Sequence, residues 1–140
     1  MWYYQDKEFN YTEDQLKPYQ GFVYCITELS TGMKYIGKKF FWSKKTLQPL
    51  KGKKRKRRSI IESDWKQYYG SNVTIKEKVE HNPDDYKREI LKLCTTRGEC
   101  SYFEAKLQFE NDVLIRDDYY NGIINCRINQ TSVSHLKEKK

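Results

Sequence analysis

Long apolar runs are missing from this 140-residue chain, and so are most of the residues that build metal clusters and disulfide frameworks. No apolar stretch approaches the roughly 20 residues that a membrane span needs, which excludes a transmembrane helix. The opening MWYYQDKEFNYTED lacks the charged-then-apolar order of a secretory signal, so the chain reads as cytoplasmic. Histidine is limited to His81 and His135, and the four cysteines, Cys25, Cys94, Cys100 and Cys126, form no CxxC pair. That spacing excludes a zinc knuckle or ribbon and leaves reduced thiols as the expectation. No internal repeat is present. Apolar residues are only 37% of the chain against 33% charged, so the core is expected to be small. Twelve Tyr and three Trp offset this, because each aromatic buries a large area. The length fits one domain.

Acid is missing from one stretch. Lys38 to Arg58 holds eleven Lys or Arg and no Asp or Glu, whereas the remaining chain has sixteen bases and nineteen acids. The whole net charge of +8 therefore lies in this segment. A localised excess of this kind is the footprint of a polyanion partner rather than of a generally basic surface. Its densest part, Lys51 to Arg58, fits a solvated charge run, a nuclear-localisation-like address or a phosphate-contacting loop.

What is present begins with a hairpin. Phe22-Val23-Tyr24-Cys25-Ile26 and Met33-Lys34-Tyr35-Ile36-Gly37 are strand-forming, and Ser30-Thr31-Gly32 between them supplies the turn, with Gly32 suited to a positive φ. Tyr24 and Tyr35 share a face only if the register allows it. Before the hairpin, a Tyr-rich lead-in over residues 1–20 is expected to pack aromatics over the sheet, with one helical turn near Thr12 to Leu16. After it come Phe40-Phe41-Trp42, which suit packing beside the sheet, or stacking on a nucleobase if exposed. A short helix capped by Ser63 is expected to end at Gly70, and another to span Asn72 to Glu80 until Pro83 breaks it. Asp85 to Leu93 fits strand or helix by pattern alone. The longest predicted helix is Glu99 to Ile115, with Tyr102, Ala105, Phe109 and Val113 on its apolar face and Glu104 at the edge of that face, partly shielded. Asp117-Asp118 stops it, and Tyr119 to Asn125 reads as a return over the sheet. The HLKEKK end is expected to fray.

Phe22-Val23-Tyr24, ten residues, then Tyr35-Ile36-Gly37 resembles the paired motif of the GIY-YIG nucleases, with Phe22 where the family usually has glycine. The resemblance extends over residues 21–126. Lys38-Lys39 match the basic residues that follow the second motif. Tyr69-Gly70-Ser71 matches a Tyr-Gly-Ser signature of phage-encoded members, and Glu104 in YFEAKLQF matches the essential glutamate of a late helix. Asn121 in YYNG matches an asparagine that closes the site, with Asn125 as the fallback.

The resemblance implies an α+β fold, a small, mostly antiparallel three-stranded sheet flanked by helices, with Asp85 to Leu93 as its third strand and a long basic insertion. It divides the chain into an extension (1–20), a nuclease domain (21–128) and a tail (129–140). It implies a DNA endonuclease of phage or mobile-element type, acting in the host cytoplasm if phage-encoded. Phosphodiester hydrolysis would use one Mg2+, with Mn2+ as a substitute, held by Glu104, and no small-molecule cofactor. Tyr24 would orient or deprotonate the attacking water, its ionised form favoured by Lys38 nearby, and Tyr35 would position water or phosphate. The family's phosphate-binding arginine stands about ten residues past the second motif, where this chain has Lys44-Lys45; Arg57 or Arg58 is the expected replacement, displaced by the insertion. Lys38, Lys39, Lys53, Lys54, Arg55 and Tyr69 are the expected nucleic-acid contacts. Tyr69 stands where some members place a histidine. Cutting both strands would need a homodimer or two visits. The alternatives are a non-catalytic nucleic-acid-binding module on the same fold, and a partner-binding protein whose basic run docks an acidic surface.

Overall fold

The computed structural model describes residues 1–137, apart from the Arg58 side chain. The elements run β1 (Trp2–Tyr4), β2 (Lys7–Glu8), α1 (Glu13–Leu16), β3 (Gly21–Glu28), β4 (Lys34–Phe40), β5 (Trp42–Leu47), β6 (Arg57–Glu62), α2 (Val73–His81), β7 (Tyr86–Cys94) and α3 (Arg97–Glu110). Five strands form a mixed sheet in the order β2-β1-β7-β3-β4, and β5 with β6 forms a separate antiparallel ribbon. The class is α+β as expected, but the sheet is larger than three strands.

The added strands come from the first eight residues. β1 runs parallel to β7, with Trp2 opposite Arg88, and the lead-in therefore enters the sheet instead of lying over it. Trp2 is buried, and its indole N–H donates to the Trp65 carbonyl at 2.8 Å. Phe22, Phe41, Trp65 and Phe9 pack round it, largely edge to face, a geometry that adds about 0.5–1.5 kcal/mol per aromatic pair beyond burial. This cluster occupies one sheet face. On the other face Val23, Ile36 and Cys94 pack with Cys100 of α3. All four cysteines are free.

The predicted turn forms, with Gly32 at φ +75°. α1 carries a capping box from Thr12 to Gln15, and α2 is capped by the Asn72 side chain. Asp85 to Leu93 is a strand. Only three residues, Trp65–Gln67, turn helically where a Ser63-capped helix was expected, because Ser63 Oγ is used to hold the Phe40 carbonyl. The basic stretch is an ordered ribbon that pairs Trp42 with Glu62 and Leu47 with Arg57, and nothing marks it as an insertion. The tail does not fray throughout. Thr131–Leu136 forms 3-10 turns against α3, where His135 meets Glu99 at 3.0 Å; residues 138–140 lie outside the described residues. Among the described residues no helix is long and apolar enough to cross a membrane.

Candidate active site

The register of β3 and β4 settles where the two motif tyrosines point. Tyr24 lies opposite Gly37 and Ile26 opposite Tyr35, so both tyrosines stand on one face, two positions apart along β4. Their ring centroids are 6.4 Å apart. On its other side β3 slips register against β7 between Val23 and Tyr24, leaving Leu91 as the extra residue. A bulge of this kind turns the strand and re-aims the side chain beside it, here Tyr24.

The loop before α2 closes over this pair. Gly70, at φ +86°, brings its backbone against the Tyr24 hydroxyl, and Ser71 Oγ lies 3.2 Å from the Tyr35 hydroxyl. Tyr68 stands edge-on to Tyr24. Arg88 sets the path of this loop. It is buried on β7, donates to the Lys66 and Tyr68 carbonyls at 2.9 and 3.0 Å, and lies between the Trp2 and Tyr69 rings. Tyr69 thus packs on Arg88, and the hydroxyls at the centre belong to Tyr24, Tyr35 and Ser71.

α3 runs along the edge strand β4. Arg97, Ser101, Glu104 and Gln108 recur at helical spacing and form one polar stripe. Gln108 Nε2 donates to the Ile36 carbonyl at 2.9 Å. Lys38 Nζ reaches Ser101 Oγ at 3.0 Å and Glu104 Oε1 at 3.6 Å. Arg97 lies over Phe40, 4.4 Å from the ring centroid. Four helix residues rise about 6 Å and two strand residues about 6.6 Å, so the stripe keeps step with β4. This stripe corrects the predicted apolar face. Of that face Ala105 and Val113 are buried, but Tyr102 and Phe109 are exposed, at 37% and 58%, and Cys100 and Gln108 are buried in their stead. The helix also ends at Glu110, capped by Asn111, well before Asp117.

Burial governs the ionisation of the group. It drives the Tyr24 phenol far above the ordinary tyrosine range, reinforced by Tyr68, Tyr35 and the Glu104 charge. Tyr35 is raised by burial too, with Ser71 opposing. The expected ionisation of Tyr24 by Lys38 is not seen, because Lys38 directs its charge at Glu104. The Glu104 carboxyl is raised by burial, against the pull of Lys38, and its side chain is 14% exposed.

Among the described residues no three His, Cys, Asp or Glu side chains cluster. One shielded carboxylate, whose facing cation is Lys38 at 3.6 Å, fits a hard ion that keeps most of its own water. It does not fit an all-protein cage.

The other predicted residues lie elsewhere. Asn121 is buried and grips the outer edge of β4, accepting from Ile36 N at 3.0 Å and donating to Ile36 O at 2.8 Å. Lys34 N–H donates to the Asp118 carbonyl and its carbonyl accepts from Tyr120 N–H, so the return runs along the sheet edge rather than over it. Lys39 bonds Asp64 at 2.6 Å and lies over Tyr68. Arg57, on β6, donates to the Gln48 carbonyl at 3.4 Å, and the Arg58 side chain lies outside the described residues. Lys53, Lys54 and Arg55 are exposed in the loop of the ribbon. Sequence reasoning missed Arg97, Ser101 and Gln108, although their spacing from Glu104 was a signal available for finding them.

No curated protein and no solved structure matches the chain. The model of the family described as "Putative endonuclease segE, GIY-YIG domain" matches residues 2–124, a span that holds the tyrosine pair, the Gly70 loop, the ribbon and the α3 stripe. The chain belongs to this family of GIY-YIG endonucleases.

Proposed function

We propose that this protein is a metal-dependent DNA endonuclease of phage or mobile-element type, with its site at the Gly37 edge of the sheet. One observation carries the reading: four separate segments converge near Gly37, where Tyr24 and Tyr35 pack against the glycine, Ser71 meets Tyr35 and Glu104 meets Lys38, with an acid-free basic segment following directly. Glu104 would hold Mg2+, with Mn2+ as a substitute. When bound, the metal polarises the phosphate and stabilises the leaving oxygen.

The chain's own groups bind and orient. Lys38 faces Glu104 and would be free to meet phosphate if a cation took its place there. Tyr24 acts as a neutral phenol that orients the attacking water by hydrogen bonding, since its burial works against the phenolate. Tyr35, less enclosed, positions water or a phosphate oxygen. Water adds to phosphorus and the bond to the leaving oxygen breaks, which yields a phosphate monoester and a hydroxyl. Arg57 or Arg58 clamps phosphate from the ribbon, and Lys53, Lys54 and Arg55 hold the backbone farther out. Asn121 serves the site by fixing Ile36. Cutting both strands requires a second copy or a second visit.

The enclosure of Tyr24 also favours a second reading, a nucleic-acid-binding module without cleavage. Glu104→Ala separates the two: the nuclease reading requires magnesium-dependent DNA cleavage that this variant loses while retaining its affinity for DNA.

A further inference from the structure

A cleft of about 400 Å³ opens beside the site, lined by Lys38, Lys39, Phe40, Trp42, Lys44 and Arg97 among others, with no carboxylate in its wall. Two of its four cations already have partners, Lys38 on Glu104 and Lys39 on Asp64. Among the described residues neither Lys44 nor Arg97 meets a carboxylate. The Arg97 guanidinium is nevertheless fixed. It lies over the Phe40 ring and donates one N–H to the Trp42 carbonyl at 3.3 Å, which leaves other donors of its planar fork for a ligand. Lys44 stands on β5 across the same cleft. Arg97 lies two helical turns before Glu104 on the α3 stripe, so the cleft and the carboxylate share one face.

We propose that Arg97 and Lys44 form a phosphate subsite that takes the DNA backbone next to the scissile bond. The proposal rests on the nuclease reading for its substrate, but not for the binding itself. A fixed guanidinium whose charge is uncompensated suits a phosphodiester, whose two free oxygens match its fork. A solvated cation on a mobile stem would carry no such orientation. The subsite also supplies an arginine at the active-site cleft, in addition to those on the ribbon.

The test measures binding of a 20-base-pair duplex as a function of salt in the Glu104→Gln background, where cleavage cannot intervene. Each phosphate contact contributes about 0.9 to the slope of log K against log salt. Arg97→Ala and Lys44→Ala are each expected to lower that slope by about one and to weaken binding several-fold. Arg97→Lys should restore the slope, because the positive charge remains. Lys7→Ala removes a charge at the opposite edge of the sheet and should leave the slope nearly unchanged. If Arg97→Ala fails to fold, Lys44→Ala alone decides. An unchanged slope in that variant, or a loss no larger than with Lys7→Ala, overturns the subsite. The nuclease reading is judged separately: if the native chain cleaves nothing, that reading fails while the slopes still decide the subsite.

Discussion

Gly37 lies directly opposite Tyr24 in the β3–β4 ladder, and the tyrosine occupies the space that any side chain at Gly37 would need. A Cβ there would stand 2.5 Å from the Tyr24 hydroxyl and 2.7 Å from the ring carbon that bears it. The glycine of the second motif is thus the seat of the tyrosine of the first. Gly37→Ala is expected to cost about 1–3 kcal/mol, typical of overpacking, and to displace Tyr24. Thermal unfolding checks this. Adding Tyr24→Phe should recover only part of the loss, since the ring carbon still clashes.

Tyr24 is enclosed, and its burial favours the neutral phenol, so in the proposed mechanism it orients the attacking water. Tyr24→Phe should lower the single-turnover rate about 10- to 100-fold, a few kcal/mol of lost hydrogen bonding, without altering the shape of the pH–rate profile. A profile that loses one limb in the variant would identify Tyr24 as a titrating base instead.

Asn121 satisfies both backbone groups of Ile36, in the middle of the edge strand that carries Tyr35 and Gly37. Asn121→Ala leaves the Ile36 N–H without its partner, while the Ile36 carbonyl keeps its bond from Gln108, at a cost of about 1–3 kcal/mol. Denaturant unfolding should show this loss, and amide exchange at Ile36 should accelerate.

Glu28 shows how far the sheet depends on a charge remote from the site. Its carboxylate accepts from Tyr86 at 2.6 Å, from Thr31 and from Tyr120, with Lys78 at 3.5 Å. These bonds, that of Tyr86 foremost, hold its pKa at about 2. An ordinary glutamate titrates near about 4.3. Because the folded value is the lower one, the stabilisation is full above about pH 4.3 and disappears as pH falls through 2. Glu28→Gln should therefore cost about 2 kcal/mol at pH 7, with the gap from the native chain closing in acid. A gap that persists below pH 2 would contradict this.

The local features were legible in the sequence. Alternation and turn chemistry gave the hairpin, and apolar spacing with the break at Pro83 gave α2. What escaped was set by distant partners. The three residues of β1 become a strand only because β7 accepts them, some eighty residues later. The basic stretch reads as a loop or charge run in the sequence, and becomes a ribbon only because Lys45 pairs with Ser59. The apolar face of α3 was misjudged because Gln108 is buried by one bond to the Ile36 carbonyl, a compensation that periodicity does not encode. Within the site, the tyrosine pair and Glu104 were found by motif, whereas Arg97 needed the helix to be laid against β4.

The most direct measurement is relaxation of supercoiled plasmid by the native chain and by Glu104→Ala, with magnesium and with chelator, alongside duplex binding by both. The account predicts magnesium-dependent nicking or linearisation by the native chain, a loss of at least ~1000-fold in Glu104→Ala, and nearly equal affinity for DNA. Cleavage that survives Glu104→Ala would contradict the site described here.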